Sequence, residues 1–199
     1  MDKNIKYFVI SLPRSGTSSL RVMFENIGLK VLHAPGNTFF RSIDWDIDFY
    51  CDTPIYTEDC IHNILEWSES KNFIPKFIYI NRSAKSVWNS WNQSGLYKNY
   101  LEMYESREKG GQLNGPQSFD LESYDSAFGN EKWTNQNSEE VVLRHKEKVC
   151  NLVNHSGKSL LIFDFEKGYD QLCEFLGVDL PENSEVPHIN KSKKDSFIH

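Results

Sequence analysis

Short apolar runs alternate with stretches of helical spacing along most of the chain. Residues 6–12 (KYFVISL) form a nearly continuous apolar run, which predicts a strand covered on both faces. After a turn at 13–16, apolar residues recur at Leu20, Met23, Phe24 and Ile27, the spacing of a helix face, and Gly28 supplies a stop. Residues 29–32 predict a second strand, running out at His33. The aromatic and acidic stretch 37–50 allows a short helix over 43–50. Thr53 and Pro54 read as cap and first position of a helix over 55–70. KFIYIN at 76–81 predicts a third buried strand, and SLLIF at 159–163 a fourth. Helices are expected over 83–93, 97–109, 139–153 and 169–176. Residues 110–136, rich in Gly, Asn and Ser, read as a loop, a lid insertion or part of an acceptor site. From Val178 the tail reads as mostly irregular.

Strands alternating with helices predict an α/β fold: one domain over 1–199, three-layered α/β/α of the P-loop type, with a central parallel sheet. In such sheets ligands sit beyond the C-terminal ends of the strands. Three chemically interesting segments fall at such ends: Leu12 to Ser19, His33, and Arg82.

Composition narrows the partners. A net charge of −6 argues against a general nucleic-acid binder, which neutralises many phosphates, but not against one small anion held by a few aimed donors. The high aromatic content favours a well-packed core over an aromatic-lined pocket. Cys51, Cys60, Cys150 and Cys173 form no CxxC pair and show no metal-ligand spacing, so free buried thiols are expected. No signal-peptide pattern opens the sequence and no apolar run approaches the ~18 residues of a membrane span. A reducing, cytoplasmic setting is the resulting expectation.

The strongest chemical signal joins the first strand to the first helix. Ser11-Leu12-Pro13-Arg14-Ser15-Gly16-Thr17-Ser18-Ser19 combines a strand end, a glycine turn and clustered hydroxyls at a helix N-terminus. Successive N–H groups there can wrap an anion, and the helix dipole favours negative charge. Laid over the Walker pattern GxxxxGK[ST], the first glycine becomes Ser11 and the lysine becomes Thr17. The cation is instead Arg14, in mid-loop. A weaker second constellation pairs Arg82, at the end of the third strand, with Ser90, about two turns into the next helix; a guanidinium and a hydroxyl can clamp a second phosphate.

Together these motifs resemble the cytosolic-type sulfotransferase superfamily. There a PKSGTT- or PRSGTS-type loop holds the 5′-phosphosulfate of 3′-phosphoadenylyl sulfate, and an Arg with a Ser eight residues on holds the 3′-phosphate. Pro13 to Ser18 matches the first motif, and Arg82 and Ser90 match the second at the same spacing. LPRSGTSSL, the Gly28 to His33 segment, Asp52-Thr53-Pro54, Trp88 and LLIFDF…LCEFLGVDLP…PHINK follow the order of one branch of sulfotransferase family proteins.

The resemblance implies in-line sulfuryl transfer without a metal, releasing adenosine 3′,5′-bisphosphate. Arg14 would stabilise the leaving phosphate, and the backbone of Ser15, Gly16, Thr17, Ser18 and Ser19 would cradle the donor. It also implies that the basic tail at Lys191 closes over the 3′-phosphate. A hydroxyl acceptor needs a base, for which His33 and Asp52 are the candidates. The acceptor itself stays open among small molecules, saccharides and lipids, with a hydroxyl or amine as the receiving group. Oligomeric state is not legible. Two other readings stand beside this one: a degenerate module that binds the nucleotide without turnover, and a P-loop kinase, against which Thr17 in the lysine position argues.

Overall fold

The computed structural model describes residues 4–33, 35, 44, 46–52, 54–129 and 132–187. At its centre lie β1 (Ile5–Val9), β2 (Val31–His33), β3 (Phe49–Cys51), β4 (Ile74–Ile80) and β5 (Ser159–Phe163), all parallel, in the order β2-β3-β1-β4-β5. β1 occupies the middle. The chain builds one side of it first and then crosses to the other, so the order reverses at β1. The C-terminal end of that strand is where an open sheet leaves a crevice.

Alternation along the strands decides which helices cover which face. Tyr7 and Val9 of β1, with Phe49, Cys51, Ile78 and Ile80, pack on α1 (Thr17–Asn26) and α7 (Gly168–Leu176). Phe8, with Tyr50, Phe77 and Tyr79, packs on α2 (Glu58–Ser70) and α6 (Ser138–His155). The result is the three-layer α/β/α arrangement expected from the pattern. Each fully buried Phe or Ile contributes about 1.5–3 kcal/mol relative to exposure, so both faces are well driven. Lys6 shares the second face, fully buried; its ammonium donates to the Ile47 carbonyl at 2.5 Å.

A third cluster sits beyond the C-terminal end of the sheet. There α3 (Ala84–Gln93), α4 (Leu96–Glu108), α5 (Gly115–Phe128) and the start of α6 enclose Trp88, Trp91, Tyr100, Phe128 and Trp133. The rings meet mostly edge to face, as with Trp91 and Trp133 at 4.9 Å and 73°. Much of the aromatic content is therefore packing. His145 of α6 is buried beside it, its Nε2 2.9 Å from the Tyr56 carbonyl, and burial lowers its pKa to about 4. It is a neutral core histidine.

Three expectations need correction. The segment 110–136 is not a loop throughout: it carries the 14-residue helix α5. Asn114 and Gln117 form a reciprocal capping box at its start, and Gly129 (φ 75°) ends it. Leu121, Tyr124, Ala127 and Phe128 then bury one face at helical spacing. The helix allowed over 43–50 gives way to strand β3 at Phe49–Cys51, which is held by ladders to both β1 and β2. The second helix starts later than expected, at Glu58, because Thr57 is the residue whose side chain accepts from an N–H, that of Cys60. Thr53 lies outside the described residues.

Residues 178–187 hold no helix or strand, and all four cysteines are buried and free. Among the described residues no helix is long and apolar enough to cross a membrane.

Candidate active site

The loop leaving β1 is held from three directions. Ser11 Oγ accepts the N–H of Ile80 at 2.5 Å, which ties the loop's start to β4. The Trp91 indole donates to the Pro13 carbonyl at 2.9 Å, so α3 holds its middle. Ser15 N–H closes a turn on the Leu12 carbonyl at 3.2 Å. Arg14 (φ 68°) and Gly16 (φ 114°) both lie at positive φ. Left-handed residues interspersed in this way aim backbone N–H groups into a common concavity, the geometry of an anion nest. Helix α1 then begins with no side-chain cap and no acidic residue in its first turn. The N-terminal N–H groups and the positive dipole end of such a helix suit an anion.

Two guanidiniums converge on this loop. Arg14 Nε donates to Ser90 Oγ of α3 at 3.1 Å. Arg82, just past β4, donates through Nη1 to the Arg14 carbonyl at 2.6 Å. Desolvation, and after it the Arg14 charge, draw the pKa of Arg82 below its usual value, although an arginine so placed stays protonated. Among the described residues neither guanidinium has a carboxylate within salt-bridge range. Like charges held together with no counter-ion of their own mark a place built for an anion.

On the opposite wall three polar groups meet. Thr17 Oγ1 lies 3.4 Å from His33 Nε2 and donates to Asp52 Oδ2 at 3.4 Å, and His33 Nε2 lies 3.3 Å from the same carboxylate oxygen. His33 ends β2 and Asp52 follows β3 at a positive φ of 73°. A left-handed non-glycine residue is strained, and such strain gathers at functional sites. Both side chains are only partly exposed.

One cleft therefore brings together Arg14, Ser15, Gly16, Thr17, Ser18, Ser19, His33, Asp52, Arg82 and Ser90, all foreseen from the sequence. The two constellations expected to hold separate phosphates are in fact joined, because Arg14 touches both Ser90 and Arg82. Lys191 lies outside the described residues. Other lining residues went unforeseen. Asp164, Phe165 and Glu166 follow β5, so the strand-end rule that singled out Arg82 would have found them too. Tyr124 reaches the cleft from α5, and nothing local in the sequence announces it. Burial, then Asp120 and Asp52, push its phenol pKa up.

A family model, described as a sulfotransferase domain, matches residues 64–194, about two thirds of the chain. The chain belongs to the sulfotransferase domain family. The match includes β4, Arg82, Ser90 and β5 but starts downstream of Pro13 to Ser19. The reading of the loop thus rests on its own geometry, independently of the family match. A search of the curated proteins finds no match to this sulfotransferase domain. Among the described residues no group of three or more His, Cys, Asp or Glu is placed to hold a metal ion.

Proposed function

We propose that this sulfotransferase domain moves a sulfuryl group from 3′-phosphoadenylyl sulfate to a hydroxyl or amine acceptor, in line and without a metal. The observation that carries the reading is the Arg14–Arg82 couple, which has no carboxylate partner among the described residues, over an uncapped helix start. The N–H groups of Ser15 to Ser19 and the Arg14 guanidinium hold the 5′-phosphosulfate, while Arg82 and Ser90 hold the 3′-phosphate. In the reaction the acceptor oxygen forms a bond to sulfur as the bond between sulfur and the phosphate oxygen breaks. The electron pair leaves on that phosphate, where Arg14 stabilises it. The acceptor proton passes to the His33–Asp52 pair. The products are the sulfated acceptor and adenosine 3′,5′-bisphosphate. Four buried free thiols suit a reducing, cytoplasmic setting, and the net charge of −6 disfavours nucleic acid as a partner.

Ligand-induced stabilisation tests the donor. With chelator present, adenosine 3′,5′-bisphosphate at about 100 times its Kd contributes about 2.7 kcal/mol, which is roughly 5–10 °C in Tm for a domain of this size. No shift at saturation, with ATP and magnesium stabilising instead, would replace the reading with a kinase.

The base is tested by non-additivity. His33→Asn and Asp52→Asn are each expected to lower kcat by about 10²–10⁴. Because the two share one proton path, the double variant should be about as slow as the slower single. Multiplicative losses, read from turnover with saturating donor, would mean that the two do not act as a pair.

A further inference from the structure

The ring of Tyr124 belongs to the core, but its hydroxyl does not serve the fold. The residue is only 7% exposed. Its ring stacks on Phe128, one turn further along α5, with centroids 5.8 Å apart at 4°. Edge-to-face contacts with Trp91 at 5.1 Å and Tyr100 at 5.9 Å hold it from two more sides. Among the described residues the Tyr124 hydroxyl has no hydrogen-bond partner, yet it is not enclosed; it opens on the cleft. Tyr100, in the same aromatic cluster, differs: its hydroxyl accepts the Trp133 N–H at 3.1 Å. A clamped, nine-tenths buried phenol that faces a cleft without a protein partner marks a contact that a ligand completes.

Two neighbours indicate which part of a ligand it meets. On one side Trp91 packs on the Tyr124 ring while its indole donates to the Pro13 carbonyl at 2.9 Å, so one side chain separates the ring from the β1–α1 loop. On the other side the charge of Asp52, which is paired with His33 at 3.3 Å, acts on the Tyr124 phenol. The phenol thus stands between the loop and the His33–Asp52 pair. An in-line transfer from a phosphate on that loop to an acceptor beside that pair carries the sulfuryl group through this interval. Sulfuryl oxygens are negative, and near Asp52 they need donors. The Thr17 hydroxyl already donates to Asp52 at 3.4 Å. Burial, and after it Asp120 and Asp52, keep Tyr124 protonated, so its O–H is available. We propose that Tyr124 is a catalytic residue whose hydroxyl donates to a sulfuryl oxygen of the bound donor and holds that group in line. Tyr124 gives up no proton and forms no covalent bond, and the sulfur–oxygen bonds form and break as described above. The inference rests on the sulfotransferase reading and adds a contact to the transferred group itself.

The test compares two nucleotides that differ only in the sulfuryl group. 3′-Phosphoadenylyl sulfate and adenosine 3′,5′-bisphosphate are each titrated calorimetrically into the full chain. Tyr124→Phe keeps the ring and its packing and deletes the hydroxyl. It is expected to raise the Kd of the phosphoadenylyl sulfate about tenfold and to leave that of the bisphosphate unchanged. Tyr100→Phe removes a phenol with a structural partner from the same cluster and should leave the ratio of the two Kd values as it is. An unchanged ratio in Tyr124→Phe, or an equal change of ratio in Tyr100→Phe, would overturn the role of Tyr124 alone. Failure of both nucleotides to bind the unaltered chain would instead overturn the donor reading on which it stands.

Discussion

Replacing Arg14 with alanine is expected to lower kcat by about 10²–10³, the loss typical of removing one donor aimed at developing charge. The fold should not follow. Arg14 is half-buried, its side chain makes a single described hydrogen bond, to Ser90, and its backbone carbonyl, which holds Arg82, survives the substitution. Alanine also tolerates φ 68° no worse than arginine does, since both carry a Cβ. Removing one of two mutually repelling guanidiniums should leave the nucleotide-free protein as stable as before, or more so. The donor complex should lose stability at the same time. That opposition separates a functional charge from a structural one. Arg14→Lys keeps the charge but not the planar fork that reaches Ser90 while facing the ligand, so it should fall between the two. The measurements are turnover at saturating donor, together with Tm with and without adenosine 3′,5′-bisphosphate. Unchanged turnover, or a fall in the nucleotide-free Tm as large as the fall in activity, would remove Arg14 from the chemistry.

The loop side of the cleft was readable because its determinants are local. The run from Tyr7 to Leu20 holds strand, turn glycine and helix start within one stretch, and the spacing from Arg82 to Ser90 is fixed by a strand end and two turns of α3. β5 falls where its SLLIF run placed it, because a short apolar run bounded by polar residues marks a strand even at the sheet edge, where only Phe163 of the five is fully buried. β3 was hidden for the opposite reason. Three residues in an aromatic, acidic stretch have no periodicity to show, and they are extended only because β1 and β2 flank them. α5 shows that composition can mislead: Gly, Asn and Ser suggested a loop, yet the Asn114–Gln117 capping box and the Leu121, Tyr124, Phe128 spacing were present in the sequence. Tyr124 escaped because it reaches the cleft only once α5 packs beside α4.

The largest effect on the integrity of the site is expected at Gly16. An added Cβ there would sit 2.5 Å from Cε2 of Phe165, at a φ of 114° that side chains rarely adopt. Two penalties then act together: about 1–3 kcal/mol for the backbone conformation and about 1–3 kcal/mol for overpacking. Gly16→Ala should therefore cost about 2–6 kcal/mol, measurable by denaturant unfolding, and should weaken nucleotide binding because the loop must shift to relieve the clash. A double-mutant cycle divides the two penalties. Phe165→Ala clears the space but not the dihedral, so Gly16→Ala with Phe165→Ala should recover about 1–3 kcal/mol of coupling and still bind the nucleotide poorly. Simple additivity would mean that the ring moves aside without cost and that only the dihedral matters. A substantial coupling would mean that the curvature of the donor loop is set partly from the far side of the sheet. Phe165 follows β5, whereas Gly16 follows β1, and β4 lies between those two strands. The glycine would then answer to the packing of the whole C-terminal edge of the sheet as well as to the turn it occupies.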